Sequence, residues 1–453
     1  MTKKLNFSII WKALVIGVLI LLMLIPLAFV RGTIKGRLEY KNEATSKITN
    51  SWGGQVLIAA PILNIPYTIE TVTESDKGKK TTTYRTEYSK YSPKDLDVSV
   101  NMVSQTRYIG IFEVPVFTAE ITMQGNFEQL KTSANQKLNE SFLTLEINDL
   151  KGISTPDFVW NGKKSDFEPS IKGNSLHINV PTTYEYSPKS SYTRYYHDEV
   201  SNVLKSLSSQ VAFNNTDSTF EIKFNIKGSR SISFVPLAKD NKYNIYSKWT
   251  NPNFSGTFLP DTKEINKDGF NAEWNINYMA SGIPQRLDGA NLSSALFTTS
   301  LLVPVDNYRA AERATKYGIL FIILTFLAFF VFEITSKKPI HPFQYLLAGL
   351  AMAIFYILIV SISEFLPFCY SYLIAAAAVV IMITAYMKFA VLKNMGIKET
   401  GIVAASLSAL YGYLYILLQL QDMALIFGSI GLFIGLAIVM YATRNINWYE
   451  EQQ

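Results

Sequence analysis

The sequence predicts a mixed membrane protein that combines transmembrane helices with a large, mostly antiparallel β domain. The 453-residue chain changes composition abruptly: residues from about Arg31 to Lys316 are polar, whereas those that follow are apolar almost to the end. Another apolar run, Trp11 to Val30, precedes the polar region. We therefore expect an N-terminal transmembrane helix, a β-rich external domain and a C-terminal bundle of five transmembrane helices.

This division predicts four parts. Residues 1–30 form a cytoplasmic N-terminus with an anchor helix, and 31–316 form the external domain, as one or two subdomains. Residues 317–443 form the five-helix bundle, and 444–453 form a tail. The single cysteine, Cys369, excludes an intramolecular disulfide, so the external domain must be held together by its own core.

The first apolar run, WKALVIGVLILLMLIPLAFV, allows two interpretations, a cleaved signal peptide or an uncleaved anchor. Its uncharged part from Ala13 has about 18 residues, which is longer than a usual signal-peptide core, and no A-x-A-like cleavage site follows. Arg31 comes directly after it. We interpret the run as an uncleaved anchor, preceded by the basic residues Lys3, Lys4 and Lys12.

Five further spans have about the length that crosses a bilayer. They are Gly318–Glu333, Phe343–Ile362, Phe368–Met387, Gly401–Leu420 and Met423–Thr443. The connections 335–341 and 388–399 contain lysines, whereas 363–367 and the connection near residue 421 contain no basic residue. Because basic connections stay in the cytoplasm, this alternation predicts that both termini are cytoplasmic and that the polar domain is external.

The stretch RATKYGILFIILTFLAFFVFE departs locally from that rule. Arg309, Arg313 and Lys316 lie at its external end, and Glu333 closes its cytoplasmic end. One explanation is an interfacial helix whose basic side chains extend to the lipid headgroups. The other is an ion pair with the external domain or with a bound acidic group.

Period-two alternation of apolar and polar residues predicts the strands of the external domain. The pattern is clearest in TFEIKFNIKG and recurs in LDVSVNM, FTAEITM and SLHINV. We expect one helix, Phe127 to Phe142. The basic stretch from Glu74 is expected to form a loop or a hairpin, and the Tyr-rich stretch from Pro181 to Glu199 a long connection.

Motifs for catalysis, metal binding and nucleotide binding are absent from the sequence. It contains no Ser-x-x-Lys, G-x-S-x-G, H-E-x-x-H, phosphate-binding loop or G-x-G-x-x-G, and its basic residues are too scattered for a nucleic-acid partner. We expect no cofactor and no metal site, since the one local cluster of ligand types, around His197, falls in a predicted surface loop. These absences favour a non-enzymatic protein.

Two alternatives stay open. The first is a transporter or channel for a lipid-like or small amphipathic molecule, with Tyr411 and Tyr415 on one helix face and a polar cavity between the third and fifth spans. The second is an envelope-modifying enzyme with a concave pocket near His197.

Several long stretches of the chain resemble the CreD family of bacterial inner-membrane proteins. They include DNYRAAERATKYGILFIILTFLAFFVFE, HPFQYLLAGLAMAIFYILIVSISE, TRNINWY, GGQVLIAAPILNIPY, RYIGIFEVPVF and WTNPNFSGTFLP. The resemblance implies a multi-pass protein of the inner membrane that supports envelope integrity and the response to envelope stress or antibiotics. Together with the large external domain and the absent catalytic motifs, the resemblance leads us to expect a periplasmic domain that binds a protein, peptidoglycan or lipid partner, while homo-oligomerisation stays open.

The resemblance implies no catalytic residues, but it carries a set of signature residues. We expect these residues, which lie mainly at span ends, to form a joint between the external domain and the membrane. They are Asp306, Arg313, Lys316, Tyr317, Glu333, His341, Gln344, Glu364, Arg444, Asn445 and Trp448.

Overall fold

The computed structural model describes residues 7–74, 80–131, 135–170, 177–178, 202–288, 295–303, 307–336, 339–391, 397–420 and 423–444. The chain divides into two compact units. The helical unit comprises Met1–Glu43 and Val305–Gln453, and the β-rich unit comprises Ala44–Pro304. Apolar helices at both ends of the chain and a large sheet-rich unit between them confirm the predicted fold class.

The long helices follow the apolar runs of the sequence. In chain order, and with one short helix in the β-rich unit, they are α1 (Phe7–Leu22), α2 (Leu24–Trp52), α3 (Tyr278–Ser281), α4 (Asn307–Lys316), α5 (Gly318–Ser336), α6 (Pro342–Ser363), α7 (Phe368–Tyr386), α8 (Ile397–Gln419) and α9 (Ala424–Thr443). A π-helical turn, Met387–Val391, extends α7. Pro26 has no N–H to donate to the carbonyl of Leu22, which explains the irregularity at Met23 between α1 and α2.

Among the described residues, four helical stretches are long and apolar enough to cross a membrane, and a fifth arises if α4 and α5 count as one bent span. The four are Trp11–Trp52, Pro342–Ser363, Phe368–Phe389 and Thr400–Gln419. The sixth predicted span corresponds to α9, in which Ile426–Ile438 is a shorter apolar stretch. Helices therefore occupy all six predicted positions, and up to five of them have the length and hydropathy of a membrane span within the described residues.

The β-rich unit contains two eight-stranded sheets. The strands of the first are β1 (Val56–Glu74), β2 (Lys80–Tyr91), β5 (Phe142–Ile147), β8 (Glu168–Ser170), β11 (Lys205–Gln210), β13 (Ser231–Val235), β15 (Pro252–Gly256) and β18 (Phe297–Leu301). Their order is β15-β18-β13-β1-β5-β11-β8, with β2 beside the distal part of β1.

The second sheet has the order β16-β17-β14-β3-β4-β12-β6-β7. Its strands are β3 (Asp95–Ile109), β4 (Phe112–Phe127), β6 (Asp157–Trp160), β7 (Lys163–Ser165), β12 (Ser218–Ser229), β14 (Asp240–Ser247), β16 (Thr262–Asn266) and β17 (Gly269–Asn277). A separate pair joins β9 (His177–Ile178) and β10 (Asn202–Val203). Most pairings are antiparallel, as expected, but β1 with β13 and β3 with β14 are parallel.

One hydrophobic core joins the two sheets. Period-two alternation explains it: in β12, Phe220, Ile222, Phe224 and Ile226 are buried, while the residues between them face outward. The same core contains Val98 and Ile121 of the second sheet and Leu143, Leu145 and Phe234 of the first. Both sheets therefore contribute to a shared interior, and every residue of the central strands β5 and β13 of the first sheet is buried.

The expected helix from Phe127 to Phe142 is wrong. Phe127 ends β4, a 3-10 turn spans Leu138–Glu140, and Phe142 begins β5. Neighbouring segments satisfy the backbone here: Asn215 Oδ1 accepts from the Leu130 N–H at 2.8 Å, and the Pro66 carbonyl accepts from the Lys137 N–H at 2.8 Å. These tertiary hydrogen bonds outweigh a weak helical pattern rich in Ser, Thr and Asn.

Candidate functional site

A buried carboxylate, Glu333, forms the centre of a polar network in the helical unit. It lies near the end of α5 with 6% of its surface exposed, although a charged side chain is rarely buried without partners. Lys12 of α1 donates to its Oε1, the backbone N–H of Ile340 donates to the same oxygen at 2.9 Å, and the Tyr345 hydroxyl donates to Oε2 at 3.0 Å. Both carboxylate oxygens are therefore satisfied.

The start of α6 places two of these donors. His341 caps the helix, since its Nδ1 accepts from the Phe343 N–H at 3.2 Å, and Gln344 Oε1 accepts from the His341 N–H at 2.9 Å. Pro342 occupies the first helical position, where no N–H is needed. This capped turn holds Ile340 and Tyr345 on either side of the cap, so that both reach Glu333.

Apolar rings surround the Tyr345 side of the network. The Tyr345 ring lies 5.5 Å from that of Phe326 and 6.2 Å from that of Phe329, measured between centroids. In such surroundings a lone carboxylate or ammonium group is costly, whereas the paired groups are stabilised. The network therefore holds the first span against α5 and α6.

A second charged network lies where α6 ends. Arg37 of α2 donates from Nη2 to Glu364 Oε2 at 3.3 Å, and its Nε lies 3.2 Å from Glu364 Oε1 in an ion pair. Arg31, further back on α2, donates from Nη2 to the Thr315 carbonyl at 3.1 Å. Lys12, Arg31 and Arg37 thus each attach the N-terminal helices to a different point of the helical unit.

The stretch that opens the second predicted span is bent. The axes of Ala310–Lys316 and Gly318–Ile334 are bent by 49° relative to each other. Gly318 begins the second of these helices, and a Cβ on it would lie 2.9 Å from Leu27 Cδ2. On α4, Ala311, Ala314 and Thr315 are buried, while Lys316 is exposed and pairs with Glu312 at 3.4 Å. The basic residues therefore lie on a separate amphipathic helix, in the arrangement expected of an interfacial helix.

Comparison with known proteins identifies the family. The profile described as "Inner membrane protein CreD" matches residues 8–449. The chain belongs to the CreD family. The "Inner membrane protein CreD" of Escherichia coli strain K12 is 29% identical over 453 residues, which cover 98% of this chain and 95% of that protein. With several apolar helices, this CreD-family member is a multi-pass protein of the inner membrane and has the lipid bilayer as its surroundings.

The structure distributes the predicted signature residues over several places. Glu333, His341 and Gln344 meet in the first network, and Glu364 lies in the second. Lys316 is exposed on α4, and the half-buried Arg313 has an Nε without a hydrogen-bond partner in the described part of the chain. Tyr317 lies at the bend, and the Arg444 guanidinium lies 4.0 Å from the Tyr441 ring centroid. Asp306, Asn445 and Trp448 lie outside the described residues.

Sequence reasoning missed the cationic and hydroxyl partners. The sequence places Lys12 at the cytoplasmic end of the anchor and gives no local reason to select Arg37 or Tyr345. A charge so close to an apolar run was a signal for Lys12, because such a residue needs a partner or an exit to water. Nothing local could have indicated Tyr345, whose role depends on the approach of α5.

Aromatic side chains fill the interface at which the transporter alternative places a polar cavity. The Phe355 ring packs against Tyr372 and Tyr411 at centroid distances of 5.4 and 4.6 Å, and Tyr415 lies 5.1 Å from Tyr372. The Tyr372 hydroxyl donates to the Tyr411 carbonyl at 2.5 Å. Aromatic packing thus occupies this interface between α6, α7 and α8, where a transporter was expected to have a polar cavity.

Metal chemistry gains no support within the described residues, where no group of three or more His, Cys, Asp and Glu side chains converges. His197 and its neighbours lie outside those residues.

In the β-rich unit, the Lys239 hydrogen bond lowers the pKa of Glu128, and Gln285 also donates to that carboxylate, at 3.2 Å. Burial lowers the pKa of Lys90.

A two-stranded ribbon forms an exposed surface of the β-rich unit. The ribbon is defined as the part of the β1–β2 hairpin beyond Asn64, where pairing with β5 ends. From Glu70 to Val72 and from Thr82 to Thr86, its side chains are exposed. Glu70 pairs with Tyr84 and Val72 with Thr82, so Val72 and Tyr84, which are 55% and 68% exposed, share one face.

Proposed function

We propose that this CreD-family member supports cell-envelope integrity, and the response to envelope stress or antibiotics, as a non-enzymatic protein whose β-rich unit binds a partner in the periplasm. In this proposal both termini are cytoplasmic, and the helical unit anchors the protein and senses the state of the membrane. The charged networks around Glu333 and Glu364 support a stable anchor, since each ties an N-terminal helix to the C-terminal helices.

The ribbon carries the partner-binding proposal. An isolated two-stranded hairpin is marginally stable in water, and its outer edges leave backbone N–H and C=O groups open for pairing. Within the described residues, Thr68–Val72 and Thr82–Thr86 pair only with each other. A partner that adds an extended segment to this edge would satisfy the backbone groups and cover Val72 and Tyr84.

Photo-crosslinking in intact cells tests this surface. A photoreactive amino acid at Tyr84 or Val72 is expected to capture a discrete periplasmic peptide or protein. The matched control is Ile265 on the edge strand β16, which is 48% exposed in the same unit and is expected to capture nothing specific. Capture of peptidoglycan or lipid at Tyr84 would change the partner's class, and equal adducts at both positions would refute the proposal.

A functional assay connects the surface to the envelope. Replacing Val72 and Tyr84 together with Ser should make cells as sensitive to envelope-directed antibiotics as cells without the protein. Ile265→Ser should leave resistance unchanged. If both variants behave like the wild type while the protein accumulates normally, the ribbon has no part in envelope integrity.

The prediction that the protein is not an enzyme has its own experiment. Purified full-length protein in detergent is incubated with cell-wall fragments, and we expect no product. Hydrolysis that a single substitution abolishes would replace the binding proposal with the enzyme alternative.

A further inference from the structure

A groove with a volume of about 150 Å³ runs between α2 and α6 in the helical unit. Each helix contributes residues at positions i, i+3, i+4 and i+7, the spacing of a single helix face. The lining residues are Val30, Thr33, Ile34 and Arg37 on one side and Ile357, Val360, Ser361 and Glu364 on the other.

The two helices run in the same direction. A Cβ on Gly349 of α6 would lie 2.6 Å from the Met23 sulfur, and fifteen residues later Glu364 pairs with Arg37, fourteen residues after Met23. Residues of similar depth therefore face each other across the groove. Val30 lies opposite Ile357, the hydroxyl residues Thr33 and Ser361 lie nearer its mouth, and the ion pair closes one end.

This arrangement gives the groove a gradient of polarity over about 10 Å, the rise of seven helical residues. Val30, Ile34 and Val360 are buried apolar walls, and Thr33 and Ser361 are exposed. Arg37 and Glu364 add opposite charges at the end of the groove furthest from Val30 and Ile357. An occupant that fits this gradient has an acyl chain, polar ester groups and a charged head, in that order.

The charges at the groove restrict the kind of head group. Arg37 and Glu364 neutralise each other, with 46% and 7% of their side chains exposed. A guanidinium group has five N–H donors, and only Nη2 and Nε of Arg37 face Glu364, so the exposed part of Arg37 retains donors for a phosphate. The neighbouring carboxylate accepts hydrogen bonds from a cation and repels a net negative head.

We propose that this groove is a selective site for one zwitterionic phospholipid whose amine retains its N–H groups, that is, a phosphatidylethanolamine-type lipid. Its phosphate binds Arg37, its ammonium group binds Glu364, and one ester carbonyl accepts a hydrogen bond from the Ser361 hydroxyl. The Thr33 hydroxyl donates instead to the Phe29 carbonyl of its own helix, at 3.1 Å. Its acyl chain lies along Val30, Ile34, Ile357 and Val360. The site is independent of the partner proposed for the ribbon.

The full-length protein is extracted in a mild detergent, incubated with equimolar phosphatidylethanolamine, phosphatidylglycerol and phosphatidylcholine, and analysed by native mass spectrometry. The wild type should retain one phosphatidylethanolamine in about tenfold preference, the effect of one charge-assisted hydrogen bond. Arg37→Gln should lose this retention. Glu364→Gln leaves an unpaired cation in the groove and should reverse the preference towards phosphatidylglycerol.

Lys35→Gln is the matched control, because Lys35 lies on the same helix, is exposed, and pairs only with Glu39, at 3.7 Å, among the contacts of the described residues. It should behave like the wild type. Equal retention of the three lipids by the wild type, or an unchanged preference in Glu364→Gln, would overturn the proposal.

A second variant covers the case in which Arg37→Gln or Glu364→Gln fails to fold. Ser361→Ala keeps the ion pair and the shape of the walls but removes the hydroxyl that donates to the ester carbonyl. It should retain phosphatidylethanolamine several-fold less than the wild type. Undiminished retention by Ser361→Ala would also contradict the site.

Discussion

Lys12 of the first helix donates a hydrogen bond to Glu333, 321 residues later in the chain, and the two form an ion pair with 29% and 7% of their side chains exposed. The pair is shielded unequally, because Lys12 retains some access to its surroundings while Glu333 has almost none. Glu333 therefore depends on Lys12, Ile340 and Tyr345 for its remaining stabilisation.

Removing one member of this pair should cost more than replacing both. Lys12→Met leaves the buried Glu333 carboxylate without its cation and should destabilise the helical unit by about 3–5 kcal/mol. Lys12→Met combined with Glu333→Leu should recover only part of that loss. Apolar groups replace both charges, but the Ile340 N–H and the Tyr345 hydroxyl lose their acceptor. Thermal unfolding in detergent of the two single variants and the double variant measures the coupling. Additive effects in this cycle would show that the pair contributes little.

Trp52 should stabilise the end of α2 in the β-rich unit. The Arg107 guanidinium lies 4.0 Å and the Lys227 ammonium 4.8 Å from the ring centroid, and the indole N–H donates to the Phe117 carbonyl at 3.3 Å. Trp52→Leu removes two cation–π contacts and should cost about 1–2 kcal/mol. Hydrogen exchange of the β4 backbone amides in the full-length protein is the measurement, and faster exchange is expected.

The control for this prediction is Tyr108→Ser, which changes another aromatic residue of the same unit that is 63% exposed. Its exchange should match the wild type. Trp52→Phe keeps a ring for the cations but loses the indole N–H, so an intermediate effect is expected. Equal protection in Trp52→Leu and the wild type would contradict the role of Trp52.

The Glu128–Lys239 pair should make stability depend on pH in the acidic range. The Lys239 hydrogen bond is the main cause that lowers the pKa of Glu128 in the folded state. The ionised carboxylate therefore stabilises the fold at pH values above its unfolded-state pKa of about 4.3. That contribution, about 0.5–1 kcal/mol, is lost as pH falls through the lower folded-state pKa. Glu128→Gln should therefore be less stable than the wild type at pH 7 and should approach it at acidic pH.

Resistance of the β-rich unit to proteolysis in the full-length protein, measured with an acid-active protease at pH 3 and a neutral one at pH 7, checks this dependence. Glu140→Gln is the control, since its contact with Lys137 is exposed on both sides. A difference between Glu128→Gln and the wild type that is as large at pH 3 as at pH 7 would rule out the ionised carboxylate as its source.

The topology can be tested by cysteine labelling in intact cells, after Cys369 is replaced by Ser. A Cys at Ser75 should react with a membrane-impermeant reagent from the periplasm, and one at Ser336 should react only after permeabilisation. The alternation of basic and non-basic connections is the reason for this expectation. The reverse pattern would overturn the proposed orientation of both termini.

The basic residues of α4 provide a linked prediction. Arg313→Gln with Lys316→Gln should keep the same labelling pattern, because the remaining connections determine the orientation. If Arg313 and Lys316 belong to a joint between the two units, antibiotic resistance should fall while topology and protein amount stay constant. Unchanged antibiotic resistance would show that the two residues serve only at the membrane interface. A reversed labelling pattern would show that they determine the orientation of the span.

The sequence by itself determined where the membrane helices and most strands of the β-rich unit form. Hydrophobicity over about twenty residues and period-two alternation are local properties, and they predicted both α6 and β12 from short windows. The weak helical pattern at 127–142 failed because distant Asn215 and Pro66 supply its hydrogen-bond partners. The signature positions Glu333 and Glu364 were identified from sequence, but their partners were not.

Only the tertiary structure decided those partners. Lys12 and Glu333 are 321 residues apart, and Arg37 and Glu364 are 327 residues apart. No window of sequence contains both members of either pair, and neither charge shows locally which helix will approach it. Burial then makes each pairing energetically necessary, because a charge in apolar surroundings is stabilised only by a counter-charge and hydrogen bonds brought to it by the fold.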